Sequence, residues 1–203
     1  MVSTNPFASR QVRPGAIPFQ FSKDQSAEQI IERLRHANWR GAILGPHGSG
    51  KSTLLDTLSP LWRDHGLTEQ RVTLHSDGQS TGTIRLPGKD EILVVDGFEQ
   101  LSWLKRRWFL ARCAFAGSRL LVTTHTEIGL PIVFQTEPSE EMAIQLTEML
   151  QRDVELLVTA EDARATCRQH GADLRETLFQ LYHLYESRRE LRSSGDDDAK
   201  SLR

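Results

Sequence analysis

Apolar residues recur along the chain with two different spacings, and each spacing predicts a kind of element. Compact apolar runs read as strands: GAIL at 41–44, RVTLH at 71–75, EILVVD at 91–96, SRLLVTT at 118–124 and IVFQT at 132–136. EILVVD carries the strongest strand signal of the five. Helical spacing fills the intervals. Ile30, Ile31 and Leu34 share one face of a helix that Ser26 starts, with Gln29 at the capping-box distance, and that ends near Asn38. Leu54, Leu55, Leu58 and Leu61 share the face of a second, from Lys51 to Trp62, and residues 101–115 form a third. Strands alternating with helices imply a parallel sheet with helices on its faces.

The pattern changes after Pro138. SEEMAIQLTEMLQR places Met142, Leu146, Met149 and Leu150 on one helical face, Thr159 and Asp162 stand at capping distance, and Leu174, Leu178, Leu181 and Tyr185 again recur at helical spacing. The expected organisation is therefore an extended arm over 1–22, an α/β core over 23–138, an all-helical lid over 139–192 and a disordered polar tail over 193–203. Residues 76–90, rich in Ser, Gly, Thr and Asp, read as loop or weak hairpin.

Composition narrows the class without naming a function. The 203 residues suffice for one full core, and the net charge of -2 gives no overall basic balance that would argue for nucleic acid. The two cysteines, Cys113 and Cys167, fall in helical stretches and lack ligand spacing for zinc. The N-terminus has no signal-peptide apolar core and no apolar run is long enough to span a bilayer. The expectation is a cytoplasmic protein with no membrane contact.

Chemistry enters at AILGPHGSGKSTLLDTL, residues 42–58, where Gly45, Gly50, Lys51 and Ser52 fill the pattern G-x-x-x-x-G-K-[ST]. Glycines free the backbone to aim successive N–H groups at phosphate oxygens, and the helix that follows turns its positive end toward the same anion. Lys51 is expected to reach the β- and γ-phosphates, and Ser52 to give its hydroxyl to Mg²⁺. The phosphate-contacting set is Gly45, Pro46, His47, Gly48, Ser49, Gly50, Lys51, Ser52 and Thr53. Within it, His47 and Ser49 occupy variable positions and read first as solvent-facing. Asp96 ends the buried run ILVV at the strand edge where open α/β sheets bind ligands, and is the expected second metal residue.

These motifs resemble those of P-loop NTPases, with Asp96 similar to a Walker B acid. VVDGFEQL, with Gly97 after the acid and Glu99 beyond it, is similar to the D-G-x-D-E motif of NACHT-type and other STAND ATPases; Gln100 stands where the second acid would be. The resemblance implies an additional-strand fold, ATP with Mg²⁺, and Glu99 as the residue that polarises the attacking water. It also implies a polar sensor at Thr124 or His125, and a lid arginine at Arg175 in HGADLRETLFQLY, similar to the AAA+ sensor 2 helix. Solvent-facing or capping roles are the plain alternatives for each.

Other features limit the resemblance. No LSGGQ-like signature precedes Asp96, TEIGLP at 126–131 holds no arginine finger, and no N-K-x-D guanine signature occurs, which leaves adenine. Ile17, Pro18 or Phe19 would supply an adenine pocket or pack in the core. LKRRW at 104–108, with Arg106, Arg107 and Arg112 on the same helix, reads first as a solvated face, and otherwise as a basic-aromatic surface for a nucleic-acid phosphate backbone or an unidentified protein partner. Slow ATP hydrolysis, a nucleotide-gated switch, and a small-molecule kinase using Arg164, Arg168 and Arg175 stand as rival functions.

Overall fold

The computed structural model describes residues 5–22, 24–75, 84–171 and 173–201, with side chains as far as Ser193. It is a mixed α/β chain with a five-stranded parallel sheet followed by helices. By contacts it divides into two units. One comprises Pro18–His47 and Lys51–Glu137; the other comprises the described residues of Met1–Ile17, Gly48–Gly50 and Pro138–Arg203.

The first unit holds the sheet. Its strands are β1 (Arg40–Leu44), β2 (Thr68–Thr73), β3 (Glu91–Asp96), β4 (Leu120–Thr124) and β5 (Ile132–Gln135), in the order β2-β3-β4-β1-β5. All pairings are parallel, with Leu93 opposite Leu120 and Ala42 opposite Val122. Side chains alternate across each strand. Ile43, Ile92, Val94 and Leu121 enter a core with helix α2 (Ala27–His36) and helix α3 (Lys51–Leu58). Ala42, Leu93, Val95, Leu120 and Val122 enter a second core with Phe109 and Cys113 of helix α4 (Trp103–Phe115). Runs buried on both faces explain why EILVVD reads as continuous hydrophobe and matches β3 residue for residue.

Local signals set several boundaries. Ser26 caps α2 by accepting from Gln29 N at 3.3 Å. The helix after the glycine loop is shorter than its leucine spacing suggests. It ends at Leu58, because Pro60 cannot continue the α-helical hydrogen bonding, and a 3₁₀ turn over Ser59–His65 carries Trp62 into the core. β2 begins three residues before RVTLH and ends at Thr73, since Thr68–Thr73 pairs along the full length of β3. The expected loop at 76–90 lies outside the described residues over 76–83; residues 84–88 carry no regular element.

The arm is not extended throughout. Helix α1 (Ser9–Val12) makes a single turn, and Phe7 is buried with Tyr185 at a ring distance of 6.0 Å. Phe19 and Phe21 instead pack edge-on against Phe134 at 5.8 and 6.1 Å, inside the sheet unit. Ile17 joins the core of the helical unit with Ala143, Leu146, Cys167 and Leu174. Of the residues considered for an adenine pocket, Ile17 and Phe19 are thus core residues, while Pro18 is exposed.

The helical unit contains α5 (Glu140–Leu150), α6 (Ala160–Gln169) and α7 (Leu174–Ser201). Thr159 and Asp162 form the full capping box at the start of α6. Asp173 accepts from Glu176 N at 3.0 Å at the start of α7. The expected disordered tail is helical to Ser201: no proline interrupts it, and extending a formed helix is far easier than nucleating one. No helix among the described residues is long and apolar enough to cross a membrane.

Candidate functional site

The glycine loop leaves β1 at Leu44 and enters α3 at Lys51. Gly48 and Gly50 have φ of +66° and +85°, left-handed values that a side chain adopts only with strain. These two reversals flank Ser49, which is buried rather than solvent-facing. Lys51 is buried too; its Nζ donates to the carbonyl oxygens of Gly45 and Pro46 at 2.7 and 2.6 Å, holding the ammonium inside the curve of the loop.

Ser52 and Asp96 meet. Ser52 Oγ donates to Asp96 Oδ2 at 2.7 Å, joining the first turn of α3 to the C-terminal end of β3. The other carboxylate oxygen accepts from Thr123 Oγ1 at 2.7 Å, and that hydroxyl in turn accepts from Gly97 N at 2.8 Å. Asp96 is therefore held on both sides and oriented. Gly97 has φ of +81°, and a Cβ there would lie 2.8 Å from the Leu74 carbonyl oxygen, so the turn after the acid accepts glycine alone without rearrangement. A hydroxyl and a carboxylate form a hard oxygen donor pair that fits Mg²⁺. Among the described residues no group of three or more His, Cys, Asp or Glu is placed to hold a metal ion, so a cation here would rest on this pair and on oxygens from a ligand.

Glu99 lies in a 3₁₀ turn, Phe98–Gln100, just beyond Gly97. Its Oε1 stands 3.1 Å from His125 Nε2, and its Oε2 is buried without a hydrogen-bond partner among the described residues. The His125 ring meets the His47 ring edge-on at 3.7 Å. Although His47 is largely exposed, it is thus tied through His125 to Glu99. Burial pushes His125 below the ordinary histidine value. Glu99 pulls the other way, and Lys51 and His47 add to the depression.

Thr124 is buried at the end of β4. Its hydroxyl donates to the Thr126 carbonyl at 3.0 Å and accepts from Thr126 N at 3.3 Å, a local turn contact. Its neighbour Thr123 is the strand-end hydroxyl that contacts the acid, a role the sequence does not separate from Thr124's. Arg175 is exposed on α7. Thr53 is half-buried, and its carbonyl accepts from Thr57 Oγ1 at 3.0 Å.

Arg71 of β2 escaped the sequence reading altogether. It donates to Asp56 and, at 3.3 Å, to the Ser52 carbonyl, and it lies 4.0 Å from Asp96 Oδ2. Nothing in RVTLH distinguishes this arginine from an ordinary strand residue; only the pairing of β2 with β3 puts it beside the acid. No protein-family model matches the chain, and no curated protein does.

Proposed function

We propose that the chain binds Mg²⁺–ATP and hydrolyses it slowly, as an AAA+/STAND-like ATPase of the additional-strand branch of P-loop NTPases. The observation that carries this reading is the contact of Ser52 Oγ with Asp96 Oδ2 at 2.7 Å, at the mouth of a glycine loop whose lysine is drawn inward. Two residues 44 positions apart converge as a phosphate-bound cation requires. The placement of β4 between β1 and β3 supports the additional-strand reading.

Each residue has a part in this reading. The loop amides and Lys51 hold the phosphates and stabilise charge on the transferred phosphoryl group. Ser52 and Asp96 would hold Mg²⁺, which would supply charge neutralisation to the bound phosphates. Thr123 fixes the Asp96 carboxylate. Glu99 orients water, using the oxygen that His125 does not engage. Arg175 and the helical residues 139–192 take the parts of sensor and lid by resemblance. Adenine rests on the missing guanine signature, and a cytoplasmic setting is where this chemistry fits.

A nucleotide-gated switch with negligible turnover is the second reading. It is favoured by Gln100 at the position of a second acid and by the engagement of Glu99 with His125. A kinase has less support. Arg168 is bidentate on Glu140 at 2.7 and 2.9 Å, and Arg164 pairs with Glu161 at 2.6 Å, so two of its three arginines are already neutralised.

Single-turnover hydrolysis of Mg²⁺–ATP, measured beside Glu99→Gln with binding followed in parallel, tests the proposal. Binding with turnover lost in the variant supports the ATPase. Binding without turnover in either supports the switch. Absence of Mg²⁺-dependent ATP binding in the native chain overturns both.

A further inference from the structure

Helix α4 is amphipathic in an unusual sense. Its inner face is apolar, with Phe109 and Cys113 fully buried in the sheet core. Its outer face is apolar as well. Leu104 is 69% exposed, Trp108 53%, Phe115 99% and Trp103 66%. A surface helix ordinarily turns its polar side to water, and a contiguous exposed apolar patch marks an interaction site.

The outer residues are ordered. Leu104, Trp108, Ala111 and Phe115 follow one another at steps of four, three and four, the spacing of a seam that receives another helix. The seam spans about three turns. The charged residues of α4 itself are all cations, Lys105, Arg106, Arg107 and Arg112, and no Asp or Glu occurs from Leu101 to Thr126; Arg106 is turned inward, donating to the Leu101 and Glu99 carbonyls. The Arg107 guanidinium sits 5.4 Å over the Trp103 ring, and that of Arg112 5.5 Å over Trp108. Arg112 is further held by the Ile84 carbonyl at 3.3 Å. Positive charge is thus stacked on both tryptophans of the outer face, Trp108 in the seam and Trp103 beside it.

We propose that the outer face of α4 docks an acidic amphipathic helix of a partner protein. Heptad-like spacing selects a helix as the occupant, and the cations of α4 on either side of the seam select its charge: Leu-type knobs enter between Leu104, Trp108 and Phe115, while flanking carboxylates meet Lys105, Arg107 and Arg112. A single nucleic-acid strand suits the surface less well, because a guanidinium already lies over one face of each indole, where a base would stack. An anionic bilayer suits it less well too. Arg107 flanks the seam on the helical wheel, between Trp103 and Ala111, so only the narrow stripe of Leu104, Trp108, Ala111 and Phe115 could enter the acyl region without taking a guanidinium with it. The assignment does not depend on nucleotide chemistry.

The test uses the full chain and a fluorescein-labelled peptide of three heptads, leucine at the seam positions and glutamate on the flanks, with fluorescence anisotropy as readout. A second peptide replaces every glutamate by lysine. The expected result is saturable binding of the acidic peptide, at least ~10-fold tighter than of the basic one, and weakened at least ~10-fold by Leu104→Glu or Phe115→Glu. Both side chains are exposed, so thermal unfolding of these variants should match the parent. Arg107→Glu provides a charge-only variant and should weaken the acidic peptide while strengthening the basic one. No binding, equal binding of the two peptides, or binding indifferent to Leu104→Glu overturns the proposal. So does tighter binding of oligo(dT) or of phosphatidylserine vesicles than of the acidic peptide.

Discussion

His125 Nε2 stands 3.1 Å from Glu99 Oε1, while Glu99 Oε2 is buried with no hydrogen-bond partner among the described residues. One carboxylate therefore has one oxygen held and one left open. A buried acceptor without a donor is costly in a fold and is a mark of function. In the ATPase reading the open oxygen takes the water. Glu99→Gln keeps the shape and removes the base, so single-turnover hydrolysis should fall by about 10²-fold or more. ATP affinity in the same titration should hold within about threefold; a parallel loss of affinity would mean that Glu99 serves binding instead.

The same pair makes stability depend on pH in a definite direction. Burial lowers the folded-state pKa of His125, so the unfolded chain takes up the proton first as pH falls. The contribution is complete above about pH 6.5, the ordinary histidine value, and is lost as pH drops through the lower folded value. Melting temperatures from pH 7.5 to 5.5 should fall more steeply for the native chain than for His125→Gln. Equal slopes would remove His125 as the cause.

Lys51→Ala should weaken ATP binding by about 100-fold, roughly 2.7 kcal/mol, because a buried ammonium on a phosphate is a charge-assisted contact. Asp96→Asn should leave residual ATP binding that no longer responds to Mg²⁺. Thr123→Val separates orientation from ligation. It removes the hydroxyl that bonds Asp96 Oδ1 at 2.7 Å and should lower Mg²⁺ affinity by roughly 10-fold or more without touching the cation directly. Calorimetric titration of ATP checks the first, and titration of Mg²⁺ into the ATP complex checks the other two; Mg²⁺ affinity unchanged in Thr123→Val would show that the carboxylate needs no such support.

In the helical unit, Asp162 accepts from Thr159 N, Thr159 Oγ1 and both terminal nitrogens of Arg188, and these contacts hold its carboxyl at about 2. Arg188 comes first among the causes. A depressed carboxylate stabilises above its unfolded pKa and loses that contribution as pH falls through the folded one, here from near 4 toward about 2. Asp162→Ala should cost on the order of 2 kcal/mol at pH 7, from the lost cap and the guanidinium left unpaired. Denaturant titration at pH 7 and again at pH 2.5 should show that cost shrinking in acid.

Gly97→Ala should be among the more damaging single substitutions. The left-handed φ and the 2.8 Å approach to the Leu74 carbonyl together predict a loss of ~2 kcal/mol or more. A midpoint in urea within error of the parent would mean that the turn relaxes more easily than its geometry indicates.

Local features were legible where one stretch of chain holds all the physics. β3 emerges whole from EILVVD because a strand buried on both faces is apolar at nearly every position. Ser26 with Gln29 and Thr159 with Asp162 are caps closed within four residues. The glycine loop carries its own mechanical requirement. Errors arose where a neighbour overrode a pattern. Pro60 ended a helix that the leucine spacing would have continued, the double reversal at Gly48 and Gly50 buried Ser49, and a formed helix carried a polar tail along with it.

The sequence by itself determined most of the strands and helices and the glycine loop with the lysine and hydroxyl that follow it, because backbone propensity, side-chain periodicity and capping act over a few residues. Tertiary structure alone decided the order β2-β3-β4-β1-β5, and with it the meeting of Ser52 with Asp96, the choice of Thr123 over Thr124 as the partner of that acid, and the arrival of Arg71 beside them. It also decided which side of α4 is turned outward, since both sides are apolar and only packing against β3 and β4 selects Phe109 and Cys113 for the core. Such relationships join residues tens of positions apart, and no local preference distinguishes the pairing that forms from those that do not.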